Sequence, residues 1–238
     1  SLVSGAFEEA KRICSVFSRY QLMPDADAAA GPDDPRIGRI PNRVAPDGII
    51  YNTADGTPWF ALSAWLYVET SGDTSYASEL RDVLERFRLQ AEATGTDSDG
   101  MLLHDDADTW MDATREGHEP YSPRGPKAIE VQVLWHMLYR VLLRMSPAHG
   151  TPETAGTHEA PLTEQADSLR AAIRAAFLTP RGIADHIGHD GRPDHSMRPN
   201  ALIALEAERS LLNPDEREFT DAECDAELHR VRARLLRP

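Results

Sequence analysis

The sequence has no apolar run long enough to cross a membrane: its longest, residues 131–143, is broken by Gln132, His136 and Arg140. Cysteine is nearly missing. Cys14 and Cys224 lie far apart within helical patterns, which excludes a disulfide framework and a cysteine-based zinc site and makes a reducing cytoplasm the default location. Basic charge is short too, with 25 Lys and Arg against 39 Asp and Glu and a formal charge of −14. A phosphate backbone would be repelled over most of such a surface, so neither nucleic acid nor a membrane is expected as a partner. There is no glycine-rich phosphate loop and no Gly-x-Ser-x-Gly elbow. No cofactor is implied. His104, His136 and His195 lack paired metal spacing, and His186 and His189, with Asp185 and Asp190 beside them, read as solvated turn residues, so no metal site is expected. Strand-like alternation is confined to 48–51 and 100–103.

What remains is helix. Phe7, Ala10, Ile13, Cys14 and Phe17 recur at helical spacing, as do Leu80, Val83, Leu84 and Phe87. Between them Trp59, Leu62, Trp65 and Leu66 mark a helix closed by Gly72, and Asp73 is a suitable N-cap for the next, so the two read as a helical hairpin. Ile129, Val133, Leu134, Met137, Leu138, Val141, Leu142 and Met145 form a wide apolar face. Leu169, Ile173 and Phe177 predict a further helix, residues 201–212 another after Pro199, and 221–236 a charged last one. The class predicted is all-α. Residues 24–35 and 147–161, rich in Ala and Asp or in Gly, Thr and Pro, read as mobile insertions. With 238 residues the chain can hold one core or part of a larger one, and its start at Ser1 suggests a piece of a longer protein.

Five loop-borne words stand out: Gly38-Arg39-Ile40-Pro41-Asn42-Arg43, Tyr51-Asn52-Thr53-Ala54-Asp55, Thr109-Trp110-Met111-Asp112-Ala113, Ser122-Pro123-Arg124 leading to Ile129-Glu130-Val131, and Ser196-Met197-Arg198-Pro199-Asn200. In this order they resemble the C-terminal amylo-α-1,6-glucosidase domain of glycogen debranching enzymes, across nearly the whole chain outside the two insertions. The resemblance implies part of an (α/α)6 barrel of six helical hairpins, incomplete at both ends. It also implies glycogen or a branched α-glucan as substrate, with the remainder of the parent catalytic domain as partner. By that comparison the chain is the central portion of such a domain, and alone it should be poorly soluble or inactive.

Glycoside hydrolysis ordinarily uses two carboxyl groups, one to protonate the leaving oxygen and one to activate water or attack the sugar. Asp112 matches the family's acid, and Trp110 could supply an apolar environment that keeps its proton near neutrality. The family's base lies beyond this chain, and the reaction is expected to invert. Glu130 is read as holding either a sugar hydroxyl or an arginine. Vicinal hydroxyls call for planar donors and acceptors, and the apolar sugar face calls for an aromatic ring. Asn42, Arg43, Asn52, Asp55, Arg124, Arg198 and Asn200 supply the first, and Trp110 the second. Trp59, Trp65 and Trp135 belong to the core. Two other readings stand beside this one: a six-hairpin glycosidase acting on a different α-glucoside, and a non-catalytic α-glucan-binding module.

Overall fold

A computed structural model describes residues 5–24, 31, 34–145 and 152–235, with backbone alone for 152–159. In chain order its elements are α1 (Phe7–Arg19), β1 (Arg43–Ala45), β2 (Gly48–Ile50), α2 (Gly56–Ser71), α3 (Thr74–Thr94), β3 (Thr114–Arg115) and β4 (Glu119–Pro120). There follow β5 (Lys127–Ala128), α4 (Ile129–Arg144), α5 (Pro152–Phe177), β6 (Leu178–Thr179), β7 (Gly182–Ile183), β8 (His186–Ile187), β9 (Pro193–Asp194), α6 (Asn200–Leu211) and α7 (Asp221–Leu235). Among the described residues the chain is mostly helical. Among the described residues nine strands of two or three residues lie in the loops between the helices. Most are too short to write an alternating pattern into the sequence.

Local chemistry sets the ends of the α2–α3 hairpin. Gly72 closes α2 in the left-handed region at φ 72°, and the Asp73 side chain accepts the Tyr76 N–H to open α3. Pro58 sits in the first turn of α2, where a missing N–H costs no helical bond. Of the second expected insertion, 147–151 lie outside the described residues, while 152–161 are the opening turns of α5. Residues 25–30, 32 and 33 of the first also lie outside them.

α4 is the axis of the core and packs against α2, α3, α5 and α6. The sequence predicts one apolar face, yet every residue from Ile129 to Leu142 is buried. Surrounding elements cover all sides, and the polar positions are matched individually. Gln132 accepts the Leu102 N–H at 2.9 Å and donates to its carbonyl at 2.8 Å, His136 Nδ1 lies 2.5 Å from Glu218 Oε1, and Arg140 reaches Asp167 at 2.5 Å. Trp135, fully buried, meets Phe87 and Tyr139 edge-on at centroid distances of 5.7 and 4.9 Å and donates its indole N–H to the Gly100 carbonyl. Trp59 and Trp65 are partly buried against the same core.

The glycine of the first word is structural. Gly38 has φ 82°, and a Cβ there would lie 2.7 Å from the Phe87 backbone, so the loop can rest on α3 only without a side chain. Among the described residues no helix is long and apolar enough to cross a membrane.

Candidate functional site

A three-stranded sheet in the loops, ordered β5-β8-β9, gathers the site. It pairs Ala128 with His186 and His186 with Asp194, and the Ile129 N–H donates to the Asp185 carbonyl while the Asp185 N–H donates to that of Asp194. The start of α4, the turn holding Asp185 and the approach to α6 are thereby fixed side by side, although up to seventy residues separate them in sequence.

Arg124 sits at the centre with no exposed side chain. It meets Glu130 with both terminal nitrogens, Nη2 donating to Oε2 at 2.7 Å and Nη1 to Oε1, and its Nε donates to Asp185 Oδ2 at 2.9 Å. A planar guanidinium suits this bidentate arrangement. Asp185 also accepts from Arg198 Nη1 at 2.8 Å, Asn200 Nδ2 at 2.8 Å and His186 Nδ1 at 3.1 Å. Burial alone would raise its pKa, but hydrogen bonds from His186, Arg124 and Asn200 and the Arg124 charge prevail and hold it at about 2. Asn200 in turn accepts the Trp110 indole N–H at 3.1 Å, and the Trp110 backbone N–H donates to Asp55 Oδ2 at 3.0 Å. Of the two roles open for Glu130, this structure shows the arginine pair.

Six of the sequence-selected residues, Asp55, Trp110, Arg124, Glu130, Arg198 and Asn200, thus join one network. Asn42, Arg43 and Asn52 take no part in the hydrogen bonds that define it. They are exposed around the β1–β2 hairpin, where Arg43 pairs with Asp47 at 2.8 Å and the Asn42 N–H donates to the Ile50 carbonyl. Asp112 stands exposed in the loop before β3, so the apolar cover expected from Trp110 does not enclose it; Trp110 is itself 48% exposed. Within the network the Asp55 carboxyl is pushed up to about 6, first by burial and then by the Glu130 charge.

Sequence reasoning missed Asp185. It read as a solvated turn residue, but it is 4% exposed because the short sheet folds its turn inward. The signal available was its apolar setting, since Ile183, Ala184 and Ile187 around it are all buried. Asp185, His186 and Asp194 bring possible metal ligands within 4.8 Å of one another. Arg198 Nη1 lies 2.8 Å from the first carboxylate and 3.7 Å from the second, so the arrangement is built around a guanidinium. His104 is a positioning residue: its Nε2 accepts the Ala128 N–H at 2.9 Å, which fixes the entrance to α4, and burial lowers its pKa so that the neutral ring can accept.

A model of the amylo-alpha-1,6-glucosidase family matches residues 1–238. No curated protein matches the chain. Among solved structures, a GH78 family rhamnosidase of Bacillus sp. GL1 aligns with a TM-score of 0.50 at 17% identity, over 69% of this chain and 16% of the rhamnosidase. That likeness concerns the fold alone. The chain spans well under a fifth of that protein's length.

Proposed function

The chain belongs to the amylo-alpha-1,6-glucosidase family, and from that premise we propose that it carries the acid-bearing part of an exo-acting glycosidase that releases glucose from α-1,6 branch points of glycogen or a related α-glucan. The observation that carries the reading is the network itself: three other loop words are joined, through Asp55, Arg124, Asp185 and Asn200, to the loop that presents Trp110 and Asp112.

In this mechanism the Asp112 carboxyl donates its proton to the glycosidic oxygen as the bond to the sugar C1 breaks. A water activated by a second carboxylate, outside these residues, attacks C1 from the opposite face and leaves it inverted. The two carboxyls then stand about 6.5–9.5 Å apart to admit that water. Trp110, its ring edge anchored by Asn200, offers a face to the sugar, with Arg198 as a donor; Asn42, Arg43 and Asn52 approach from the β1–β2 side.

The remaining hairpins of an (α/α)6 barrel, in the rest of the parent domain, complete the pocket. An open apolar groove of about 450 Å³ between α2 and α6, lined by Trp59, Leu62, Pro199, Leu202 and Ile203, supports that partner, since such a surface is stable when covered. The exposure of Asp112 favours one second reading, a glucan-binding module without chemistry. Glucose release from singly branched maltodextrins by the full-length protein separates the two. Release that falls at least a hundredfold in Asp112→Asn, with glucan affinity retained, supports the hydrolase. Tight binding without release from either protein supports the binding module.

A further inference from the structure

The loop that carries Asp112 doubles back on itself as a hairpin. β3 and β4 pair Thr114 with Pro120 and Arg115 with Glu119, around a turn in which Glu116 and Gly117 take left-handed φ values of 52° and 82°. The ladder extends one step further, because the Tyr121 N–H donates to the Ala113 carbonyl at 3.0 Å. Tyr121 is therefore held across the hairpin from Ala113, next along the chain from Asp112. It is 61% exposed, and the Arg115 guanidinium lies 5.1 Å from its ring centroid over one face, which leaves the opposite face for a further partner. On the other arm of the hairpin Trp110 is 48% exposed, with its indole N–H tied to Asn200. Two large exposed rings, Trp110 and Tyr121, thus belong to the loop hairpin that carries Asp112. Neither ring is covered by the core; the Trp110 ring is tied to Asn200 at one edge, and Tyr121 is placed by its backbone N–H with Arg115 over its ring.

An aromatic face presents a rigid apolar surface of the kind that the C–H side of a pyranose stacks on, and binding to a ring already held in place costs little ordering. We propose that Tyr121 is a specificity-determining sugar platform which takes a glucose unit of the α-1,4-linked chain bearing the branch, while Trp110 faces the branch glucose itself. The inference rests on the glycosidase reading for the identity of the sugar. It adds that the enzyme recognises the chain that departs as the leaving group, and does so from the hairpin that carries the acid.

The test compares the full-length protein with Tyr121→Ala and Tyr121→Phe on two substrates: a singly branched maltodextrin, and a single glucose with an activated leaving group that cannot reach Tyr121. Tyr121→Ala is expected to raise KM for the branched dextrin about three- to tenfold with kcat within about twofold, and to change kcat/KM for the single-glucose substrate by less than about twofold. Tyr121→Phe, which keeps the ring, should retain KM on both. Equal effects on the two substrates, or no effect on either, overturn the platform. If no glucose is released at all, calorimetric titration with linear maltodextrin decides: a three- to tenfold weaker affinity in Tyr121→Ala supports the platform without the hydrolase, and unchanged or undetectable binding overturns it.

Discussion

Replacing Arg124 by Met keeps an unbranched apolar stem and removes the guanidinium with its charge, which tests what that group does at the centre of the network. Four of its N–H bonds end on buried oxygens: two on Glu130, one on the Asp185 carboxylate and one on the Asp185 carbonyl. Asp185 would keep Arg198, Asn200 and His186. Glu130 would lose both donors that hold it, while fully buried and facing the Asp55 charge. Removing one partner of a buried pair typically costs about 3–5 kcal/mol, a large part of the roughly 5–15 kcal/mol that holds a domain folded. Replacing both partners by apolar groups of similar shape is far milder. The double variant Arg124→Met with Glu130→Met should therefore be more stable than the sum of the single losses by about 2 kcal/mol or more. Urea unfolding of the full-length protein measures this as a shift in midpoint at unchanged m. A single-variant loss under about 1 kcal/mol, or strict additivity, would refute the claim that charge pairing at Arg124 organises the site.

Two further outcomes test the frame around the site. Glu208, fully buried on α6, is pushed up to about 9 by burial and by the neighbouring Glu218, whose N–H donates to Glu208 Oε2 at 3.1 Å. A carboxyl pKa raised on folding contributes stability that is complete below its unfolded value of about 4.3 and is lost as pH rises to about 9; the difference between wild type and Glu208→Gln should decline across that window by at most about 1.4 kcal/mol per pH unit, and a flat difference in denaturation curves would contradict it. Gly38→Ala meets both a left-handed φ and the Phe87 backbone at 2.7 Å, so it should lower stability by about 1–3 kcal/mol in the same assay, against under about 0.5 kcal/mol for a substitution at an open surface position.

The amino-acid sequence by itself determined the helices apart from the opening turns of α5, because periodicity and caps act within a few residues. Gly72 and Asp73 mark the α2–α3 junction within the chain, and the ends predicted for α6 and α7 fall within one residue of those observed. The five words likewise brought Asp55, Trp110, Arg124, Glu130, Arg198 and Asn200 forward without coordinates. Tertiary structure alone decided which of these meet. Arg124 and Asp185 are 61 residues apart and Trp110 and Asn200 90 apart, and no local pattern encodes a contact made by β5, β8 and β9 at a length of two residues each. Burial was decided at the same level. Asp185 looked like a turn residue and lies inside, Asp112 was expected under an apolar cover and lies exposed, and the Asp55 carboxyl is raised, because burial and pKa depend on the charges and surfaces that the fold brings up to a group and not on its neighbours in the chain.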